Sequence, residues 1–325
     1  MPRFDVLELK KYLPARALTA LKPYYRKFFP NRLIVMMNPT FRCNYTCSYC
    51  PIVTKFPFTS VVGKSGEVSG DKWLEGLEKL PPAAICFIGG EPFVYADLPT
   101  IINRWPHKHH LLAITTNLSQ PENVYRKIKG RVKLIASLHR EFIEPQPFVA
   151  KVRKLSDQFQ IHVNIVATAE NLPHLEMISN EFKELDVTLH VDPLVDVGGF
   201  HYTPEQMLIL RRYIHSDRKV ETQLDYNDYS PKRCSAGRNY VTLAPDGSVY
   251  TCQGGMSFIH STQFTELVGN RNVSQFRLRN LFDPEFQLNA QDLVCSMPCN
   301  TACDRDSAII VPIKNVQRVS SGASI

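Results

Sequence analysis

The sequence CNYTCSYC, residues 43–50, follows an apolar run and decides the fold of this 325-residue chain. Its three cysteines, Cys43, Cys47 and Cys50, have C-x3-C-x2-C spacing. Three thiolates so close together cannot complete a tetrahedral zinc site alone. They can bind three irons of a [4Fe–4S] cube and leave the fourth iron open. The stretch therefore predicts an iron–sulfur cluster with one position for a ligand that is not protein.

A second motif, Gly89-Gly90-Glu91-Pro92, ends a predicted apolar strand. Glycine lets the backbone approach a ligand closely, and a strand edge offers carbonyl groups to a ligand ammonium group. Alone, the motif would be an ordinary turn. It stands about forty residues after the cysteine stretch and at the end of a strand, which favours a ligand site. Cys86, in the middle of that strand, is interpreted as a small buried hydrophobic residue.

The two motifs together resemble the signature of the radical S-adenosylmethionine (SAM) superfamily. In that family the amino and carboxylate groups of SAM chelate the open iron. The resemblance implies that the three cysteines hold the [4Fe–4S] cluster that cleaves SAM, and that Tyr49 lies near the adenine. It also implies that the Gly-Gly-Glu-Pro motif binds the SAM amino group.

Strands and helices alternate along residues 33–225, which predicts a parallel sheet. The predicted strands are 33–37, 83–88, 111–115, 132–137, 161–167 and 187–191. The predicted helices are 71–80, 98–104, 123–130, 148–159, 172–185 and one that Thr203 caps. The chain resembles the partial (β/α)6 TIM-like barrel of radical SAM enzymes, whose ligand sites lie at the carboxyl ends of the strands. The fold class is predicted as α/β, with a small C-terminal iron–sulfur domain of a β-hairpin and helices.

Polar residues at the strand ends are the next candidates. Thr116 and Asn117 follow the third strand, and Ser137 ends the fourth. Their places at strand ends make Thr116 and Asn117 candidates for SAM contacts. For Ser137 the resemblance implies such a contact, because relatives carry a serine at this place that contacts the SAM ribose or carboxylate. Many relatives have Asp where this chain has His139, so His139 is a candidate catalytic residue that faces the substrate. The alternative is a hydrogen-bonded structural histidine. Weaker candidates, which could instead stabilise loops, are Asn164 and Asp192.

Five further cysteines follow residue 230: Cys234, Cys252, Cys295, Cys299 and Cys303. Two alternating runs flank a Pro-Asp-Gly turn between the first two and predict a β-hairpin that brings them towards each other. This hairpin and the G-x4-C spacing that ends at the second cysteine resemble the opening of SPASM and twitch auxiliary-cluster domains. Residues 267–270 and 278–282 resemble the helical stretch that follows in those domains, and residues 283–285 are expected to open another helix.

The resemblance implies one auxiliary [4Fe–4S] cluster. A full SPASM domain uses seven cysteines for two clusters, so five cysteines fit the shorter twitch type better. Since four thiols close one cube, one of Cys295, Cys299 and Cys303 would be spare, either structural or a hydrogen-atom donor to a carbon radical. Their C-x3-C-x3-C spacing departs from the C-x2-C ending of twitch relatives and leaves the ligand set open. A zinc site is the alternative for the whole set.

The composition, with 44% apolar and 21% charged residues, is that of a soluble globular protein. The sequence has no run of eighteen apolar residues, so no membrane span is predicted. No signal peptide is recognised. Nine cysteines in a chain expected to be cytoplasmic favour metal ligands over disulfides. The net charge of +7 favours an anionic partner without choosing among nucleic acid, membrane and phosphorylated substrate. No RNA-binding motif is recognised.

Part of this positive charge is local, because residues 1–33 hold eight Lys or Arg and two Asp or Glu. Residues 1–32 are predicted to form a basic amphipathic helical region. It would cap or flank the barrel, or else contact anionic lipid peripherally. The predicted domains are this region, the partial barrel at 33–225 and the auxiliary-cluster domain at 226–325.

Three functions remain open from the sequence. The first is a radical SAM oxidoreductase or isomerase that dehydrogenates or epimerises a small polar metabolite, such as a sugar or aminocyclitol. The second is a maturase that crosslinks or epimerises a ribosomally made peptide, although about forty residues before the first cysteine are too few for a peptide-recognition domain. The third is an iron–sulfur electron carrier, against which the Gly-Gly-Glu-Pro motif argues. Either enzyme would use an electron donor such as flavodoxin or ferredoxin.

Overall fold

The chain divides into two compact units, residues 1–32 and 33–325, and the description below concerns the second. The computed structural model describes residues 33–50, 66–185, 187, 189–194, 201–214, 229–260, 269, 271–298, 308 and 310–312. The predicted N-terminal helical region lies outside the described residues, as do Cys299 and Cys303.

Six parallel strands lie side by side in the main sheet and end at one of its edges, which confirms the predicted α/β fold. They are β1 (Leu33–Met37), β2 (Ala83–Phe87), β3 (His110–Thr116), β4 (Lys133–Ser137), β5 (Gln160–Ala167) and β6 (Leu189–Pro193). Each strand pairs in parallel with the next one along the chain. The strands lie within two residues of their predicted positions, because their buried apolar runs are long enough to recognise without an alignment.

Helices connect these strands. They are α1 (Gly70–Lys79), α2 (Leu98–Arg104), α3 (Glu122–Tyr125), α4 (Pro145–Leu155), α5 (Leu175–Lys183) and α6 (Pro204–Arg211). The predicted capping box of α6 is confirmed, with the Thr203 and Gln206 side chains each accepting from the other residue's backbone N–H. α3 is shorter than predicted, because the hydrogen bonds tighten to the i+3 pattern after Tyr125.

The C-terminal part extends the same sheet. β8 (Tyr240–Leu243) pairs in parallel with β1, and β9 (Ser248–Tyr250) and β10 (Arg277–Asn280) follow it in antiparallel order. The β8–β9 turn is the predicted hairpin, and Gly247 takes the positive φ of 81° that the turn requires. Three short strands form a second sheet in the order β11-β7-β12. These are β7 (Lys232–Cys234), β11 (Leu293–Cys295) and β12 (Ile310–Pro312).

One helical prediction in this part is wrong. Residues 278–280 lie in β10 and residues 281–285 form turns, whereas a helical stretch and a further helix were expected there. Among the described residues of this part, an α-helix, α7 (Gln253–His260), begins directly after the hairpin. β10 forms because its backbone pairs with β9 over the hairpin, a tertiary contact that local residue preference does not report.

The two faces of the sheet are covered differently. On one face, strand residues such as Val163 and Ile165 pack with helix residues such as Phe148 and Phe182 in the main core. On the other face, Met36, Cys86 and Ala113 pack against the C-terminal part of the chain. In the part of the chain that the structure describes, no helix is both long and apolar enough to cross a membrane.

Candidate functional site

The cysteine stretch lies beyond the carboxyl end of β1 and folds as a loop. The Cys50 amide donates to the Cys47 carbonyl oxygen at 3.0 Å, which closes a tight turn around the last two cysteines. The Cys43 sulfur accepts from the Tyr45 amide at 3.4 Å. Cys47 is buried, whereas Cys43 and Cys50 are partly exposed. The loop therefore gathers its three thiols in one region that a ligand can reach.

The Gly-Gly-Glu-Pro motif is fastened to the base of this loop by backbone hydrogen bonds. The Gly90 amide donates to the Thr40 carbonyl oxygen at 3.1 Å, and the Glu91 amide donates to the Arg42 carbonyl oxygen at 2.9 Å. A Cβ atom on Gly90 would stand 2.2 Å from that Arg42 oxygen, and one on Gly89 would stand 2.4 Å from the Thr40 oxygen. Both glycines are needed because two backbone segments meet here. The close approach that the motif predicts is made to the cysteine loop itself.

Glu91 is buried at the centre of this junction, with 1% of its surface exposed. Its Oε1 accepts from the Phe93 amide at 3.0 Å and from the Thr116 hydroxyl at 2.8 Å, and its Oε2 accepts from the Asn117 amide at 2.6 Å. Burial raises the pKa of Glu91 to about 7, although these three donors oppose the shift. A cation bound beside Glu91 would favour the ionised carboxylate.

The end of β3 also reaches the cysteine loop. The Asn117 side-chain amide lies 3.2 Å from the Asn44 Oδ1 and 3.8 Å from the Cys43 sulfur. Leu118, the next residue, is fully buried and has a positive φ of 52°. Non-glycine residues rarely adopt this conformation, and it turns the chain sharply where Asn117 meets the loop. The predicted candidates Thr116 and Asn117 thus lie together with Glu91 and Cys43.

The segment after β4 covers the other side of the cysteine loop. His139 Nδ1 lies 2.8 Å from the Tyr49 hydroxyl and 3.3 Å from the Cys47 sulfur. Burial lowers the pKa of His139 to about 4, against the opposing charge of Glu141. The Glu141 carboxylate accepts from both the amide and the hydroxyl of Ser48, at 2.9 and 2.6 Å. His139 therefore lies against the cysteine loop.

Several of these contacts were missed from the sequence. Glu141 and Phe142 were not candidates, yet Phe142 stacks on Tyr45 with ring centres 4.5 Å apart. Glu67 was not a candidate either, and it accepts two hydrogen bonds from the Arg42 guanidinium at 2.7 and 2.8 Å. The only available signal was that residues 139–142 follow a strand end, where side chains of neighbouring loops meet.

Ser137 ends β4, two residues before His139. It is in register with Asn164 on β5, which is in turn in register with His190 on β6. The Asn164 amide donates to Asp192 Oδ2 at 2.6 Å, and the His190 Nε2 lies 3.1 Å from Asp192 Oδ1. These side chains form a polar row, Ser137–Asn164–His190–Asp192, across β4, β5 and β6.

Residues 37–140, which contain the cysteine loop and the Gly-Gly-Glu-Pro motif, match the family model of the Radical SAM superfamily. By this match the segment is similar to radical SAM domains. The search of curated proteins found no match to this sequence. The fold is similar to that of Streptococcus suis SuiB bound to S-adenosylmethionine, with a TM-score of 0.51 and 14% identity. The alignment covers 75% of this chain and 66% of SuiB, so the chain spans just under two thirds of that protein's length.

Two further solved structures are similar to this chain. Native anSMEcpe with bound AdoMet has a TM-score of 0.47 and 18% identity, over 77% of this chain and 78% of that one. BtrN in complex with AdoMet and 2-DOIA has a TM-score of 0.34 and 16% identity, over 73% of this chain and 85% of that one. At such identities the likeness to these solved structures concerns the fold alone.

The second cysteine set lies outside the residues that match the radical SAM model. Cys234, Cys252 and Cys295 line one small, mainly apolar pocket. Its other walls include Ala236, Phe258, Phe276, Leu293 and Met297. The Cys252 sulfur accepts from the Gly255 amide at 3.0 Å, and the Cys295 sulfur accepts from the Met297 amide at 3.5 Å. The hairpin and the β7–β11 pair thus bring together three of the five cysteines that are predicted to be cluster ligands.

The zinc alternative concerns all five cysteines, of which Cys299 and Cys303 lie outside the described residues. Among the described residues, no three His, Cys, Asp or Glu side chains converge closely enough to hold one ion. Sulfurs that bind separate irons of a cube lie farther apart than the ligands of one ion, so a pocket lined by thiols remains compatible with a cluster. Cys86 belongs to neither set. It is buried in its strand as predicted, and burial raises the pKa of its thiol to about 12.

Proposed function

We propose that this chain holds a [4Fe–4S] cluster on Cys43, Cys47 and Cys50, binds SAM at the open iron and cleaves SAM reductively. The three cysteines fit a [4Fe–4S] cluster, because they are soft thiol donors on one loop and two of them are partly exposed. When bound, the cluster and SAM supply a 5′-deoxyadenosyl radical that abstracts hydrogen from the substrate, and that chemistry is the cofactor's own.

The observation that carries the proposal is the backbone junction between residues 40–42 and the Gly-Gly-Glu-Pro motif. It fixes the three thiols beside a buried carboxylate, Glu91, that a ligand ammonium group would stabilise. Asn117 offers a side-chain amide to the same region, and Tyr49 offers an aromatic ring beside the last cysteine. In this proposal the chain's own residues bind SAM, orient it and exclude water, while the proposed cluster supplies the electron.

Incubation of the anaerobically reconstituted protein with SAM and dithionite tests the proposal. We expect 5′-deoxyadenosine and methionine to form in the wild-type protein. The matched control is Cys50→Ala, which keeps the loop length and the other two thiols but leaves only two ligands for the cube. It should form neither product. If the reconstituted wild-type protein forms no 5′-deoxyadenosine, the proposal is wrong and an iron–sulfur electron carrier becomes the better interpretation.

For the substrate, the proposal favours a small polar metabolite that is dehydrogenated or epimerised, such as a sugar or aminocyclitol. The supporting observation is the polar row, which offers carboxylate, amide, imidazole and hydroxyl groups on one face of the sheet. Polar groups placed in this way suit a substrate with several hydroxyl or amino groups. A flavodoxin or ferredoxin would supply the electrons in the cell.

Peptide maturation is the second candidate function. SuiB is among the structural neighbours, and one of its structures is bound to precursor peptide SuiA. One experiment distinguishes the two candidate functions. Candidate sugars and candidate precursor peptides are incubated with the enzyme in deuterated water. Deuterium at a sugar carbon supports epimerisation of a metabolite through a thiol, and deuterium or a crosslink in a peptide supports a maturase.

We also propose that residues 226–325 form a twitch-like domain with one auxiliary [4Fe–4S] cluster. Cys234, Cys252 and Cys295 would supply three ligands, and Cys299 or Cys303 would supply the fourth. The shared pocket of the first three supports this assignment. In a dehydrogenase such a cluster accepts the second electron of the oxidation. Iron counts on the single alanine variants, described below, test it.

A further inference from the structure

The sulfur of Cys47 is in contact with a side chain from another part of the sheet. His139, two residues past the end of β4, places Nδ1 3.3 Å from this sulfur. Cys47 is 4% exposed, so bulk water does not compete for the contact. Glu141, two residues further on, binds Ser48 and so holds this segment against the cysteine loop.

The direction of this hydrogen bond follows from the chemistry of an iron-bound cysteine. Such a cysteine is a thiolate and has no proton to donate. The contact is then a hydrogen bond only when Nδ1 of His139 carries the proton, which holds for the neutral Nδ1–H tautomer and for the charged ring alike. The Tyr49 hydroxyl lies 2.8 Å from the same Nδ1, so its oxygen shares this N–H with the sulfur and its own proton is directed elsewhere.

We infer that His139 donates a hydrogen bond to the Cys47 thiolate and thereby raises the reduction potential of the cluster proposed above, an inference that rests on that proposed function. The sulfur ligands of a cluster carry more negative charge after it gains an electron, so a donor stabilises the reduced form more than the oxidised form. Burial strengthens the effect, because the local dielectric is low. His139 acts through Cys47 and is a positioning residue for electron entry.

Two substitutions at one position isolate the hydrogen bond. His139→Leu keeps a similar volume near the sulfur and removes the donor. His139→Asn places its side-chain amide as far from the backbone as Nδ1, so it can restore a donor. Phe142→Leu is the control, since it alters the same segment without removing a donor to the sulfur. The midpoint potential is measured by anaerobic titration with dithionite, followed by electron paramagnetic resonance of the one-electron-reduced signal that changes when SAM is added.

We expect the His139→Leu midpoint to become more negative by about 59 mV, a tenfold change for a one-electron couple. His139→Asn should recover most of this shift, and Phe142→Leu should leave the midpoint unchanged. The inference is overturned if His139→Leu binds the cluster with the wild-type midpoint, or if His139→Asn shifts it as far as His139→Leu does.

A second measurement covers the case in which His139→Leu does not bind the cluster. Wild-type protein labelled with 15N-histidine should show weak magnetic coupling of 15N to the reduced cluster, and its absence would overturn the inference. A different outcome separates the proposed function from the inference. If wild-type protein shows no signal that responds to SAM, the proposed SAM site fails, whereas a SAM-responsive cluster with an unshifted midpoint in His139→Leu refutes the role of His139 alone.

Discussion

The two cysteine regions differ in what surrounds their sulfurs. Cys43 and Cys47 lie on a loop whose neighbours include the polar side chains of Asn117 and His139 from two separate strand ends. Cys252 and Cys295 line a mainly apolar pocket, where backbone amides donate to their sulfurs. Polar side chains that can bind a ligand lie beside the first set of sulfurs, whereas mainly apolar side chains surround the second set. We therefore expect an open cluster in the first region and a fully ligated one in the second.

The thiols of the first region also affect one another. The pKa of Cys47 is raised to about 12, first by burial and then by the nearby charges of Cys50 and Glu141. Crowded anionic ligands raise each other's pKa in this way, and bound cationic iron removes the penalty. The raised pKa of the Cys47 thiol therefore indicates neighbouring anionic ligands in addition to burial, whereas a raised pKa of a thiol in an apolar core indicates burial alone.

The largest expected effect comes from a crossed pair of substitutions. Cys43→Ala should abolish 5′-deoxyadenosine formation and remove about four irons per chain, one cube. Cys252→Ala should remove a similar amount of iron but retain SAM cleavage, while product formation from the true substrate is lost. Iron analysis and chromatography of 5′-deoxyadenosine measure both. If Cys252→Ala keeps its full iron content, the second region holds no cluster, and the expected contrast between an open and a fully ligated cluster is wrong.

The same iron counts decide which thiol of the second region is spare. Single alanine substitutions of Cys295, Cys299 and Cys303 should lower the iron content in two cases and leave it unchanged in one. The variant with unchanged iron identifies the spare thiol. If that variant keeps SAM cleavage but loses epimerised product, the spare thiol is the hydrogen-atom donor, whereas unchanged product makes it structural.

In both regions the sequence predicts the parts that local patterns specify and misses those that tertiary contacts specify. The Cys43–Cys50 spacing and the Gly-Gly-Glu-Pro motif are local patterns, and each fixes its own backbone. The contacts of His139 and Glu141 with the cysteine loop join segments about ninety residues apart, so no local pattern reports them. β10 was missed similarly, because its pairing with β9 comes from tertiary structure.

The strands and helices also differ in how accurately the sequence predicts their limits. β1 was located at its observed limits, since five consecutive apolar residues bounded by polar ones describe a strand buried on both faces. α3 was predicted twice as long as it is, because Asn123 to Gly130 has acceptable helical composition and only the hydrogen bonds beyond Tyr125 show that the helix ends. Predicted positions were therefore most accurate where burial alone decides the structure.

A smaller effect concerns the pH dependence of the first region. The pKa of Glu91 is raised from 4.5 to about 7 by burial, so the folded state holds a proton that the unfolded state releases between these values. The free energy of unfolding of the cluster-free protein should therefore decrease as pH rises through this window. The decrease attributable to Glu91 is at most about 3 kcal/mol.

Urea denaturation of the cluster-free protein at several pH values measures this slope. The control is Glu91→Gln, which cannot titrate and should show a flatter profile over the same range. Only the difference between the two profiles is informative, because other groups titrate in both proteins. Parallel profiles would show that Glu91 is ionised throughout, and that its three hydrogen-bond donors outweigh its burial.

A comparable or smaller loss of stability is expected from Gly90→Ala. The added Cβ meets the Arg42 carbonyl at 2.2 Å, a contact with backbone that cannot rotate away. The junction with the cysteine loop should open, at a cost of about 2 kcal/mol. Gly130→Ala is the control, because its Cβ meets nothing within 4 Å and only the positive φ of 82° is unfavourable, at about 1 kcal/mol. Iron retained at wild-type level in Gly90→Ala would show that the junction does not position the first set of thiols.

The smallest effect is expected at Cys86, which belongs to neither region. Its thiol is buried among Met36 and Ala113, and burial raises its pKa to about 12. A thiol that stays protonated in an apolar setting is a poor iron ligand, since the thiolate is the form that binds metal. Cys86→Ala should therefore leave the iron content and SAM cleavage unchanged and lower the free energy of unfolding by about 1 kcal/mol. Loss of iron in this variant would mean that a third kind of cysteine site exists, and that the division into an open and an enclosed region is incomplete.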